Sequence, residues 1–150
     1  MKNITVREGF TLVELIVTIA ILGILAGLAI PRFVNANMAA RGSKILADMN
    51  ACESAVNVYY TKTGNFPADI NVLVASYLTT WPKPPVGMAL INKHDRNNLL
   101  LDVKAANYIY VKPESGSELN VRVGRVTLGG MTIEEILSTS EESLTLNDTE

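Results

Sequence analysis

Cysteine is almost missing from this chain: Cys52 is the single thiol among 150 residues. No intramolecular disulfide can form, so an exported form would have to be held by packing alone. Histidine is as scarce, with His94 alone, and no glycine-rich phosphate loop or paired metal motif occurs. Catalysis therefore lacks its usual groups, and an enzyme is not expected. Positive charge is also short, since 13 Lys and Arg against 15 Asp and Glu leave a formal net charge of −2. A row of phosphates would go unneutralised, which removes nucleic acid as the default partner. What the chain has in excess is apolar character: 48% of its residues are hydrophobic and its mean hydropathy is +0.21. One compact domain of this length does not need that much for its core.

The excess is concentrated in residues 10–30, FTLVELIVTIAILGILAGLAI, where one charge interrupts an apolar run. As a helix with about 1.5 Å rise per residue this segment reaches roughly 30 Å, the thickness of a bilayer core. Leu, Ile and Ala favour helix, and a lone strand could not satisfy its backbone groups in lipid. Flanking charges do not orient it, because Lys2 and Arg7 precede it while Arg32, Arg41 and Lys44 follow. A secretory signal with a cut before Ile30, after the small residues Gly27 and Ala29, is the competing interpretation. Against it stand the length of the run and the helical pattern that continues beyond. Glu14 is the residue that demands explanation. A carboxylate near the middle of a membrane helix costs on the order of 2.5 to 3.5 kcal/mol, and less towards its end. Either it snorkels or is protonated there, or a counter-charge compensates it.

Arg7-Glu8-Gly9 followed by Phe10-Thr11-Leu12-Val13-Glu14-Leu15 resembles the processing site of type IV prepilins and type II secretion pseudopilins. The resemblance covers residues 1 to about 60 well and the remainder weakly. It implies cleavage between Gly9 and Phe10 by a membrane-embedded prepilin peptidase, which also methylates the new amine. It implies that Phe10 and Glu14 act in assembly, with the amine of one subunit meeting the carboxylate of its neighbour. At ~4 Å and an effective dielectric of 20 that attraction is about 4 kcal/mol, comparable to the burial cost. The implied partners are identical or homologous pilin subunits, the peptidase, inner-membrane assembly machinery and, before assembly, membrane lipid. The implied location is a bacterial cell membrane as a single-pass precursor, then a surface or extracellular filament. Gly23 and Gly27 form a G-x-x-x-G spacing that permits close helix approach, and Pro31 is expected to kink or open the helix. In the family such a stretch is often locally melted.

Beyond Pro31, Val34, Met38, Ile45, Met49, Cys52, Val56 and Tyr59 recur at helical spacing and predict an apolar stripe running to about residue 60. Cys52 in that stripe predicts a buried thiol. Gly64, Asn65 and Pro67 stop the helix, and Asp69 caps a short helix through about Tyr77. Trp81-Pro82-Lys83-Pro84-Pro85 predicts a stiff extended connection with Trp81 packed on the main helix. Strands are expected at 99–103, 107–112 and 119–128, with a turn at 113–117. Thr132 and Glu135 match a capping box, and the acidic segment from Ser138 is expected to be loose. The predicted fold is α+β, a long N-terminal helix packed on a small antiparallel sheet, which resembles pilin and pseudopilin heads. Its predicted parts are a leader at 1–9, a membrane and polymerisation helix at 10–30, an amphipathic half at 31–61, a head at 62–137 and a flexible tail at 138–150.

No cofactor is expected. Asn92, Asp95, Asn97 and Asp102 offer oxygen atoms of the kind calcium takes, in a spacing that fits no calcium motif. His94-Asp95 lies in a polar stretch that a solvated loop explains. The expected role is a structural subunit. Its rival is a non-polymerising membrane-anchored module whose head captures a ligand or DNA, and an anchored enzyme using His94 or Cys52 is a third class.

Overall fold

A computed structural model describes residues 9–93, 98–112, 125–140 and 142–147. The chain divides into two compact units, Met1–Ala36 and Asn37–Glu150. Helix α1, Leu12–Thr63, contributes to both. In the first unit its residues are exposed throughout, Ile16, Ile24 and Leu28 included. The helix holds a window of mean hydropathy 2.6, long and apolar enough to cross a membrane. Helix continues through Pro31, so the opening expected there is not seen. Pro31 still withholds the N–H that would bond the Gly27 carbonyl. Gly64, at φ 71°, ends α1 in the left-handed region, and its N–H reaches the Tyr60 carbonyl at 2.8 Å.

The second unit is built on the other half of α1. The stripe is there: Ile45, Met49, Cys52 and Val56 are fully buried, while Met38 and Tyr59 are half-buried and Val34 is exposed. Gly42 and Ala55 complete it. Helix α2, Ile70–Ser76, starts where Asp69 accepts the Asn71 N–H at 2.7 Å. Strands β1, Gly87–Asn92, and β2, Asn98–Val103, pair antiparallel. Strands β3, Tyr108–Val111, and β4, Arg125–Leu128, form a second antiparallel pair. Helix α3, Ile133–Ser138, then leads to β5, Ser143–Leu146. One apolar cluster joins Ile45, Met49 and Cys52 of α1 to Ile91, Leu101, Tyr108, Ile136 and Leu146 among others. A second joins Ala55, Val56 and Leu73, with Trp81 packed against it. The Trp81 indole donates to the Tyr108 carbonyl at 2.9 Å, which pins the proline-rich connection to both α1 and β3.

Three expectations need correction. The sheet of β1, β2 and β5 is mixed rather than antiparallel, because β5 runs parallel to β2. The segment from Ser138 is not loose throughout, since β5 lies in it and Leu146 is buried. Strand β1 has no counterpart among the expected strands. Of the strand expected at 119–128, residues 125–128 are strand; residues 119–124 and the turn at 113–117 lie outside the described residues.

The Thr132 box is complete: its hydroxyl accepts the Glu135 N–H at 3.3 Å, and the Glu135 carboxylate accepts the Thr132 N–H at 2.8 Å. Thr132→Ala should therefore cost about 1 kcal/mol of head stability, measured by urea unfolding of the full chain in detergent.

Candidate assembly site

Residues 10–14 open α1. Phe10 is 72% exposed. Next to it Thr11 precedes the first helical residue, and its N–H and hydroxyl both donate to Glu14 Oε2, at 2.9 and 2.8 Å. The Glu14 N–H returns a bond to the Thr11 hydroxyl at 3.2 Å. This is a capping box, Thr at the cap and Glu at the third helical position. It satisfies amide donors that a helix start leaves unpaired, which matters most where no water is present. One turn on, the Thr18 hydroxyl donates to the Glu14 carbonyl at 2.6 Å. The carboxylate is thus held at the start of α1 through one oxygen, Oε2.

Gly9 lies at the edge of the described residues, and residues 1–8, where the leader is expected, lie outside them. Gly23 and Gly27 have open space where a side chain would be, so neither glycine is required by contacts within the chain. Pro31 follows them inside the helix.

Two titratable side chains of the head, Cys52 and Tyr108, lie in its core. Cys52 is fully buried, and burial, with the Asp48 and Glu53 carboxylates nearby, pushes its thiol up to about 12. Tyr108 is raised as well, first by burial and then by Asp48, to which its hydroxyl donates at 3.3 Å. Asp48 also pairs with Lys44 at 2.7 Å. Both shifts favour the neutral acid in the folded state. Above the unfolded thiol's value of about 9 the unfolded chain releases a proton that the folded chain keeps, so stability falls as pH rises through 9 to 12. The slope per group should reach at most about 1.4 kcal/mol per pH unit. Urea midpoints at pH 8, 9 and 10 measure it. Cys52 should meanwhile resist alkylation until the head unfolds.

Of the calcium candidates, Asp95 and Asn97 lie outside the described residues, and so does His94. Asp102 is on β2, 3.8 Å from Lys104, and Asn92 ends β1 opposite Asn98. Among the described residues no group of three or more His, Cys, Asp or Glu is placed to hold a metal ion. A shallow groove of about 410 Å³ is lined by Asp69, Ile70, Tyr108, Ile109, Tyr110 and Lys112 among others.

The class that these features define is an α+β head built on one long helix, whose first part is apolar, exposed and opened by a capped acid. Residues 5–30 match the family described as the prokaryotic N-terminal methylation motif. The type IV major pilin PilE of Neisseria gonorrhoeae is 40% identical over 65 residues, 43% of this chain and 39% of the relative. The type II secretion system core protein G of Klebsiella michiganensis is 37% identical over 79 residues, 53% of this chain and 54% of the relative. The fimbrial protein EcpC of Eikenella corrodens is 39% identical over 64 residues, 43% of this chain and 42% of the relative. The chain is thus related to type IV pilins and type II secretion pseudopilins and carries their methylation motif. It spans about half the length, or less, of these curated relatives. No solved structure matches it.

Proposed function

We propose that the protein is a structural subunit of a type IV pilus or a type II secretion-like pseudopilus. It is made as a single-pass membrane precursor, cut between Gly9 and Phe10 by a prepilin peptidase, and polymerised through α1 at the cell surface. No catalytic step is assigned to it. The observation that carries this reading is Glu14: the one charged residue of 12–30, an exposed and largely apolar stretch of α1, four residues from the amine that cleavage would create at Phe10. In lipid the helix is soluble but its acid is under-compensated. In a bundle of like helices, a neighbour's terminal amine supplies the missing charge, and the apolar surface packs against copies of itself. Leaving the bilayer for the filament then becomes favourable. Relatives named as pilins and fimbrial proteins support the class of assembly.

The test is twofold. Mass spectrometry of the exported protein should find a mature chain beginning at Phe10 and carrying one methyl group, and electron microscopy with antibody to the head should find it in filaments. An intact Met1, a start near Ile30, or native material that stays monomeric would overturn the proposal.

A further inference from the structure

Lys93 directly follows β1 and is only 8% exposed, as one of few buried polar residues in the head. A lysine is seldom buried unless its ammonium finds acceptors. Here the Nζ donates to the Thr139 carbonyl. Thr139 is the residue at which α3 stops, and its own N–H bonds back to Glu135. The last carbonyls of a helix have no partner within it and carry the negative end of its dipole, so a cation is well placed there. Lys93 therefore ties the end of β1 to the start of the return into β5.

The return itself is short. Strand β5 is four residues long and lies at the end of its sheet among the described residues. Leu146 is buried and Leu144 half-buried, whereas Ser143 and Thr145 face solvent. Leu146 packs over Gly129, whose added Cβ would lie 3.0 Å from it. Main-chain bonds from Leu100 to Glu142, at 2.9 Å, and from Lys104 to Leu146, at 3.2 Å, bracket the pairing with β2. A short edge strand with two apolar anchors belongs to the low end of local stability, and its departure would bare the backbone of β2 to pairing with another chain.

We propose that Lys93 is a latch. By gripping the carboxyl end of α3 it keeps β5 closed over β2, so the terminal strand opens locally, as a flap, when the grip is lost. This goes beyond the filament reading and does not depend on it, because the flap is a property of the single head.

Hydrogen exchange of the full chain in detergent micelles tests it. In the wild type, amides of residues 143–146 should exchange before those of residues 45–56. In Lys93→Met the first segment should exchange at least tenfold faster while residues 45–56 keep their rate. Equal protection of residues 143–146 in both proteins overturns the latch. So does a loss of protection shared by both segments, which would make Lys93 a general core residue. A wild-type β5 as slow as the helix core would also overturn it, since no separate opening would then exist.

Discussion

Glu14→Leu is expected to leave cleavage at Gly9/Phe10 and the unfolding midpoint of the head unchanged, and to remove filaments. The substitution takes away both the cost of an acid in lipid and the reward of pairing it, so a subunit carrying it is content in the bilayer. With an attraction of about 4 kcal/mol per contact, loss of the pair disfavours each docking step by about a thousandfold. Counting filaments per cell by electron microscopy, beside the amount of mature subunit in the membrane, measures it.

The capping box offers a rival explanation, because Glu14 also serves Thr11. Magnitudes separate the two. A cap is worth about 1 kcal/mol and at most about 2, well short of the charge pair. Thr11→Val removes the hydroxyl but leaves the amide donor and the carboxylate. If Glu14 were only a cap, Thr11→Val and Glu14→Leu would impair assembly alike. On the charge-pair account, Thr11→Val retains most filaments.

Gly42→Val should be the most damaging single change in the head. Gly42 is buried where α1 crosses β1, and an added Cβ would lie 2.0 Å from the Leu90 carbonyl oxygen and 2.6 Å from its carbon. Those are main-chain atoms in the middle of a paired strand, so they cannot swing aside. Even Gly42→Ala, which gains about 1 kcal/mol of helix preference, should lose about 3 kcal/mol or more by forcing α1 off the sheet. Valine should leave the head unfolded at 37 °C. The same change at Gly23 or Gly27, where nothing lies within 4 Å, should not affect head stability. Urea unfolding of the full chain in detergent decides it, and a Gly42→Ala midpoint equal to the wild type's would contradict the close approach.

Much of this is legible in the sequence. The two halves of α1 differ in pattern, all-round apolar against a stripe at helical spacing, and that difference alone separates the exposed segment from the one buried by Ile45, Met49, Cys52 and Val56. Asp69 and the Thr132 box act as caps because capping is local and depends on two or three side chains. The strands are harder. Met88, Ala89 and Leu90 prefer helix, and β1 exists because Ala89 and Ile91 meet the core while its backbone pairs along the whole of β2. Strand β5 hides in an acidic segment whose composition reads as loose; Ser-Leu-Thr-Leu does alternate, but four residues are too few to outweigh their surroundings. Thr11-x-x-Glu14 has the spacing of Thr132-x-x-Glu135. An isolated acid in an apolar run suggests a missing cation first, and the hydroxyl three residues before it is easily passed over.

The seam at Gly42 could not be found from sequence, since a glycine inside a helix looks like a weakness until the strand it admits is seen. Arg41 marks the same seam, its Nη1 donating to the Met88 carbonyl at 3.3 Å.

The most direct measurement is a filament map sharp enough to place the first five residues of the mature chain. Each Glu14 carboxylate should lie within about 4 Å of the Phe10 amine of a different subunit, with Thr11 at most sharing it. Were every carboxylate to remain on its own Thr11, with the neighbouring amines turned elsewhere, polymerisation would have to draw its driving force from some other contact.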